Sequence, residues 1–403
     1  MKRFARFRIA AFLTVLLVAG CVWAAEYIEP YTMVSGNIEE GTYRPEDIIT
    51  FNFSDNVVFE GGDGMAIARS LIEAGKTPGL GVKSLHGRGI IGKDVRVAII
   101  DQPSAMTHAE YKGKLVEYYS DVAWSPDDSM HGAGVASLLV GDECGTAPGA
   151  MLYFAGIVGE QGDAAPSYAE GLRWIIGQNA TLPEGDKIRV VSVSANLMYQ
   201  QKNPEAWDVA VAEAKAAGIL VLDCRRDDSE GGAKETFLTE MGYYDLDAPD
   251  DLSRFTPGTP RTTEGDWLPS FNHNPLYTPA CRRTSAMEMT NGSHWRYTGA
   301  ESTSWSVPYA AGVLAMGWQV NPALTNDEIV ALLRKTAYVH KKSGALIINP
   351  VAFIEAIENP QPEPEPNPGT NPDSSSGGGG CDGGGYALVV LAIAALFSRK
   401  RII

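Results

Sequence analysis

From about Gly79 to Ile357 the sequence alternates between short β-branched runs and longer segments of helical character. That alternation constrains the fold more than any other feature, because strands joined by helical crossovers assemble into a parallel sheet covered on both faces. Val95-Arg-Val-Ala-Ile-Ile100 is almost wholly apolar, as a strand buried on both sides must be. Arg189-Val-Val-Ser-Val-Ser194 and Ile219-Leu-Val-Leu222 repeat the pattern. Ser167–Gln178 and Pro204–Ala217 read as helices, the second opening on Pro204 and stopping at Gly218. Thr325-Asn-Asp-Glu328 forms a capping-box sequence ahead of Ile329, Leu332 and Leu333. The expected class is α/β, one large domain over residues 79–357 with a parallel sheet and helices on both faces.

Composition narrows the partners. Of 403 residues, 44% are hydrophobic and 20% charged, a globular balance rather than that of a disordered or multi-span membrane chain. The formal charge is −16, and no basic patch is present to neutralise phosphates, so nucleic acid is not an expected partner.

The two ends carry targeting signals. Lys2, Arg3, Arg6 and Arg8 precede an apolar run from Ile9 to Gly20, the layout of a secretory signal over residues 1–25. Val18-Ala-Gly-Cys21 resembles a bacterial lipobox, with Cys21 as the lipidated residue; plain cleavage after Ala24 or Ala25 is the alternative. Residues 358–380 are rich in Pro, Glu, Asn, Gly and Ser and read as a linker. Residues 381–403 combine Cys381, glycines, an apolar run Tyr386–Phe397 and Arg399-Lys-Arg401, similar to the tripartite sorting signals of bacterial surface proteins. The alternative is a simple membrane anchor, although the run is shorter than the roughly 20 residues a span needs. The expected location is therefore the cell envelope or surface after export, with the export and sorting machinery as partners.

Cys144, Cys224 and Cys281 remain for the folded part, an odd set that allows at most one disulfide, and no Cys or His spacing suggests a zinc site. Residues 26–78, turn-rich and then helix-like from Met65 to Ala74, read as an N-terminal extension of the domain or a short propeptide, the extension being favoured.

Three motifs carry chemistry. Asp101 directly follows the Val95–Ile100 strand, where active-site groups of open parallel sheets lie, although many such aspartates only cap a turn. His131-Gly-Ala-Gly-Val-Ala136 places an imidazole at the start of a small-residue helix, a position also taken by purely structural histidines. Ser302-Thr-Ser-Trp-Ser-Val-Pro-Tyr-Ala-Ala-Gly312 puts the Ser304 hydroxyl near a helix N-terminus, where it either caps the helix or serves chemistry favoured by the local dipole.

Taken in order, Asp after a buried strand, His-Gly-x-x-Val-Ala and x-Thr-Ser-x-x-x-Pro-x-x-Ala-Gly resemble the signature of the subtilases, subtilisin-like serine peptidases, over roughly Gly79 to Ala337. Gly145-Thr-Ala-Pro-Gly-Ala150 is similar to the family's segment after the histidine helix. The resemblance implies a triad of Asp101, His131 and Ser304, protein or peptide substrates, and no cofactor for the chemistry. It also implies that Ser194, Ala195 and Asn196 border the substrate cleft. Asp-Gln-Pro at Asp101 and Ser-Trp-Ser-Val-Pro-Tyr at Ser304 mark a divergent bacterial branch. The family's oxyanion asparagine has no counterpart; counting from Gly218 puts Asp227 at its place, and a carboxylate donates a hydrogen bond only when protonated. Asp227, another side chain or the Ser304 backbone N–H is left to serve the oxyanion. Asp245-Leu-Asp-Ala-Pro-Asp-Asp251 is a candidate for structural calcium, as many subtilases bind, or else a solvated acidic loop, and His108 reads as a surface or loop histidine. Two functions fit: an envelope-associated serine endopeptidase, or a catalytically silent subtilase fold that binds at the cell surface.

Overall fold

The computed structural model describes residues 27–122, 130–160, 162–197, 201–224, 236–261, 274–300 and 303–360. At its centre five parallel strands run in the order Leu115–Ser120, Met151–Gly156, Arg96–Asp101, Ile188–Val193 and Leu220–Asp223. Side chains alternate across a strand, and the central strand uses both faces. Val97 and Ile99 join one core with the helices His131–Val140 and Ser306–Val320, while Ala98 and Ile100 join another with Ala165–Thr181 and Glu205–Ala216. The two-sided burial expected of Val95–Ile100 is thus explained by helix pairs above and below. All four of these alternating side chains are fully buried, each stabilising by roughly 1.5–3 kcal/mol in the larger aliphatic cases.

Element bounds shift from the sequence reading by a few residues at most. The helix expected over Ser167–Gln178 extends to Ala165–Thr181, because Pro166 is tolerated in the first turn. Thr325 and Glu328 cap each other reciprocally before the helix Asn326–Lys335.

A hairpin, Arg283–Met289 with Gly292–Thr298, packs its first strand against the helix His131–Val140. The strand Asn52–Ser54 adds to the hairpin's second strand in antiparallel register, and the helix Gly64–Gly75 packs on the same hairpin. Phe51, Phe53, Phe59 and Ile72 form a separate apolar cluster with Tyr297. The segment 27–78 thus supplies a strand, a helix and an apolar cluster that pack on the hairpin.

Among the described residues no helix is long and apolar enough to cross a membrane. The signal segment with Cys21 and the tail from residue 361 onward lie outside the described residues. Cys144 and Cys281 are buried, Cys224 is half-buried, and no disulfide joins them.

Candidate active site

Asp101 ends the central strand, at the point where the connections turn from one side of the sheet to the other. Open α/β sheets form their crevice at that place. Its side chain is 2% exposed; Oδ1 accepts the Gln102 N–H at 2.8 Å and lies 2.7 Å from His131 Nδ1. His131 is the first residue of its helix. The small residues that follow it have a steric reason. A Cβ on Gly132 would collide with the Gln102 carbonyl oxygen, and one on Gly134 would stand 2.8 Å from the Trp305 ring. Gly132 lets the helix start close against the loop leaving Asp101, and Gly134 lets it approach Trp305.

The His131 ring stacks on Trp305, with centroids 5.1 Å apart and planes at 26°. Trp305 closes the 3-10 turn Thr303–Trp305, which holds Ser304 and leads into the helix Ser306–Val320. Ser194 Oγ donates to the Ser304 carbonyl at 2.8 Å. The structure thus joins Asp101 to His131 directly and brings Ser304 beside them through its neighbour Trp305 and through Ser194. Among the described residues no hydrogen bond links Ser304 Oγ to the imidazole; such contacts often tighten only with substrate bound.

Burial opposes the charge on His131, but the Asp101 carboxylate outweighs it through its charge and hydrogen bond, so the imidazole is more basic than usual. Arg296 acts in the opposite sense.

Of the other expected residues, Ala195 accepts the Cys224 N–H at 3.2 Å, setting the Ser194–Asn196 segment against the end of the neighbouring strand. That strand ends at buried Asp223, which accepts from Trp207 Nε1 and from Thr236 Oγ1, each at 2.9 Å. Asp227 lies outside the described residues. In the acidic run, Asp245 pairs with Arg254, Asp250 accepts the Gly81 N–H at 2.8 Å, and Asp251 caps the turn at Ser253. Among the described residues no group of three or more His, Cys, Asp or Glu side chains could hold a metal ion.

His108 is not at the surface. Its ring is buried edge-on to Trp295 at 5.0 Å, because the loop after Asp101 folds inward onto the hairpin. Glu288 draws that loop in. Its buried carboxylate accepts the N–H groups of Met106, Thr107 and His108 and the hydroxyls of Ser104 and Thr107. Burial alone would raise Glu288, yet these donors hold it below the usual carboxylate range. The sequence reading missed Glu288, Arg296 and the role of Trp305. A glutamate in Ala286-Met-Glu-Met289 carries no local sign that a loop far upstream will surround it.

Residues 92–235 match the subtilase family, Peptidase_S8. The chain is 24% identical over 267 residues to the thermostable alkaline protease of Halalkalibacterium halodurans, covering 64% of this chain and 66% of that protein. It is 26% identical over 278 residues to the serine protease AprX of Bacillus subtilis, covering 62% of each. The chain thus spans a little under two thirds of the length of these relatives. Among solved structures, the prenylagaramide maturation protease PagA shares the fold, with a TM-score of 0.50 at 17% identity, covering 69% of this chain and 98% of that one. The parallel sheet and its flanking helices, together with these similarities, support a subtilase-like domain in this chain, with residues 92–235 carrying the family match.

Proposed function

We propose that the chain is a serine endopeptidase, exported and held at the bacterial envelope, that cleaves peptide bonds with Ser304, His131 and Asp101. The observation that carries this reading is the Asp101 Oδ1–His131 Nδ1 pair at 2.7 Å, its imidazole stacked on the residue that follows Ser304. With Nδ1 engaged by the carboxylate, Nε2 is left to accept the Ser304 proton as the hydroxyl attacks the scissile carbonyl. The imidazolium then gives that proton to the departing amine, and water repeats the sequence in reverse to release the acyl group from Ser304. Asp101 fixes the tautomer and stabilises the cation throughout. The Ser304 backbone N–H, at the start of a helix, is a candidate donor to the oxyanion. Envelope location rests on the sequence signals at the two ends.

The test is labelling of the purified protein with a fluorophosphonate, which reacts only with an activated serine. Labelling that is lost in Ser304→Ala is the expected result. Labelling that instead moves with Ser306 overturns the assignment of the nucleophile. No labelling of the intact protein supports a silent surface-binding fold in its place. Recovery of the full-length chain from the cytoplasm would contradict export.

A further inference from the structure

Arg296 lies on the hairpin strand Gly292–Thr298, directly opposite Ser285 on one side and Ser54 on the other. Opposed residues of an antiparallel pair project from the same face. The neighbouring rung, Thr284, Tyr297 and Phe53, turns towards the helix Gly64–Gly75. Tyr297 touches Phe53 there, and the Thr284 hydroxyl lies against Gly75. Arg296 and Ser285 therefore face the other way. On that side Ser285 Oγ lies 3.3 Å from where a Gly134 Cβ would stand, next to the Trp305 ring. The face carrying Arg296 is thus a wall of the cleft at the first turn of the His131 helix.

Arg296 is half-buried, and among the described residues its guanidinium has no hydrogen-bond or ion-pair partner. Several other arginines of the fold are engaged. Arg283 donates to the Cys144 carbonyl, while Arg44, Arg88, Arg96, Arg173 and Arg254 each hold a carboxylate. In a chain of net charge −16 acids are plentiful, yet none of the described ones closes on this cation. A partly desolvated charge without a partner is costly. A guanidinium fork is shaped to take a carboxylate through two parallel hydrogen bonds.

We propose that Arg296 forms a subsite for an acidic side chain of the peptide substrate, close to the scissile bond. The proposal rests on the serine-peptidase reading and specifies its substrate class. Its electrostatic reach to the reacting groups is supported by the effect of Arg296 on the His131 imidazole, opposite in sense to that of Asp101.

The test uses C-terminally amidated peptides in which a single Glu or Gln is walked through the positions on both sides of the cleaved bond. Matching free-acid peptides separate a side-chain carboxylate from a chain terminus. At one position Glu should exceed Gln in kcat/KM by about tenfold, the size of one charge-assisted contact. The ratio should fall towards one in Arg296→Gln, be partly kept in Arg296→Lys, and shrink as salt is raised. Because the readout is a ratio of two peptides on one protein, a general loss of activity does not mimic it. No Glu preference at any position, a preference unchanged in Arg296→Gln, or a preference for free-acid peptides alone overturns the proposal while leaving the peptidase reading intact. Absence of both cleavage and fluorophosphonate labelling overturns the two together.

Discussion

Glu288 holds Thr107 twice, its Oε1 accepting the backbone N–H at 2.7 Å and the hydroxyl at 2.8 Å. The same carboxylate takes the N–H groups of Met106 at 3.0 Å and His108 at 2.7 Å, so one side chain on the hairpin fixes the loop that leaves Asp101. An ionised carboxylate only accepts, which suits a cradle made entirely of donors.

Replacing Glu288 by Gln turns one acceptor into a donor facing other donors. We expect Glu288→Gln to lose about 2–4 kcal/mol of stability in urea unfolding, the range for a broken buried charged network. A loss under about 0.5 kcal/mol, the scale of a surface change, would show that the loop is held by other means. The pH dependence has a defined sign. Because the folded state holds this carboxyl below its ordinary value, its contribution is present above the unfolded pKa and is lost as pH falls through the folded one. Glu288→Gln should accordingly flatten the acid side of the stability curve.

Gly132→Ala and Gly134→Ala separate two kinds of crowding. At position 132 the new methyl meets a backbone oxygen, that of Gln102, which cannot turn aside. We expect a loss of about 1–3 kcal/mol, together with loss of fluorophosphonate labelling as His131 is pushed from Asp101. At position 134 the methyl meets the edge of the Trp305 side chain, so the effect on labelling should be the smaller of the two. Equal effects at the two sites would show that the helix start is looser than its packing implies.

The acid limb of kcat/KM should lie above the ordinary imidazole value of about 6.5, since Asp101 outweighs the effect of burial on His131. Asp101→Asn should move that limb down and cut turnover by about 10⁴. Arg296→Gln should move it up, because a positive neighbour is removed from the cation that forms. The matching contribution to stability runs the other way from Glu288. It is fully present below the unfolded pKa and is lost as pH rises through the folded one. A limb unmoved by either substitution would disprove this electrostatic account.

Asp227→Asn should keep or raise kcat if that position faces the oxyanion, most visibly at neutral to alkaline pH, where a carboxylate would repel the developing charge. Comparison of kcat/KM against pH for the two forms decides it. A drop of about a hundredfold at every pH would assign Asp227 another role.

The central strand, its terminal aspartate, the His131 helix and the Ser304 turn were legible in the sequence because each depends on residues next to one another. Val95–Ile100 shows two-sided burial within a single run, and Thr325 meets Glu328 inside one helical turn. Glu288, Arg296 and the inward turn of His108 were not legible. Their partners stand across the fold, and alternation in a hairpin says which residues share a face without saying which face meets the cleft. His108 is a loop residue, as one of the two expectations had it, but not a surface one, for that reason: the carboxylate that gathers its loop is 180 residues away in the chain.

The pairing of Asn52–Ser54 with Arg296–Thr298 bears on how this chain could be matured. A cut between residues 27–78 and the remainder, followed by departure of the smaller piece, would not uncover a finished cleft. It would strip a strand from the sheet that displays Arg296, leave the hairpin with a raw edge open to intermolecular pairing, and take away the apolar cover of Tyr297. Proteolytic activation at that junction would therefore work only if the severed segment stayed in place as a noncovalent subunit.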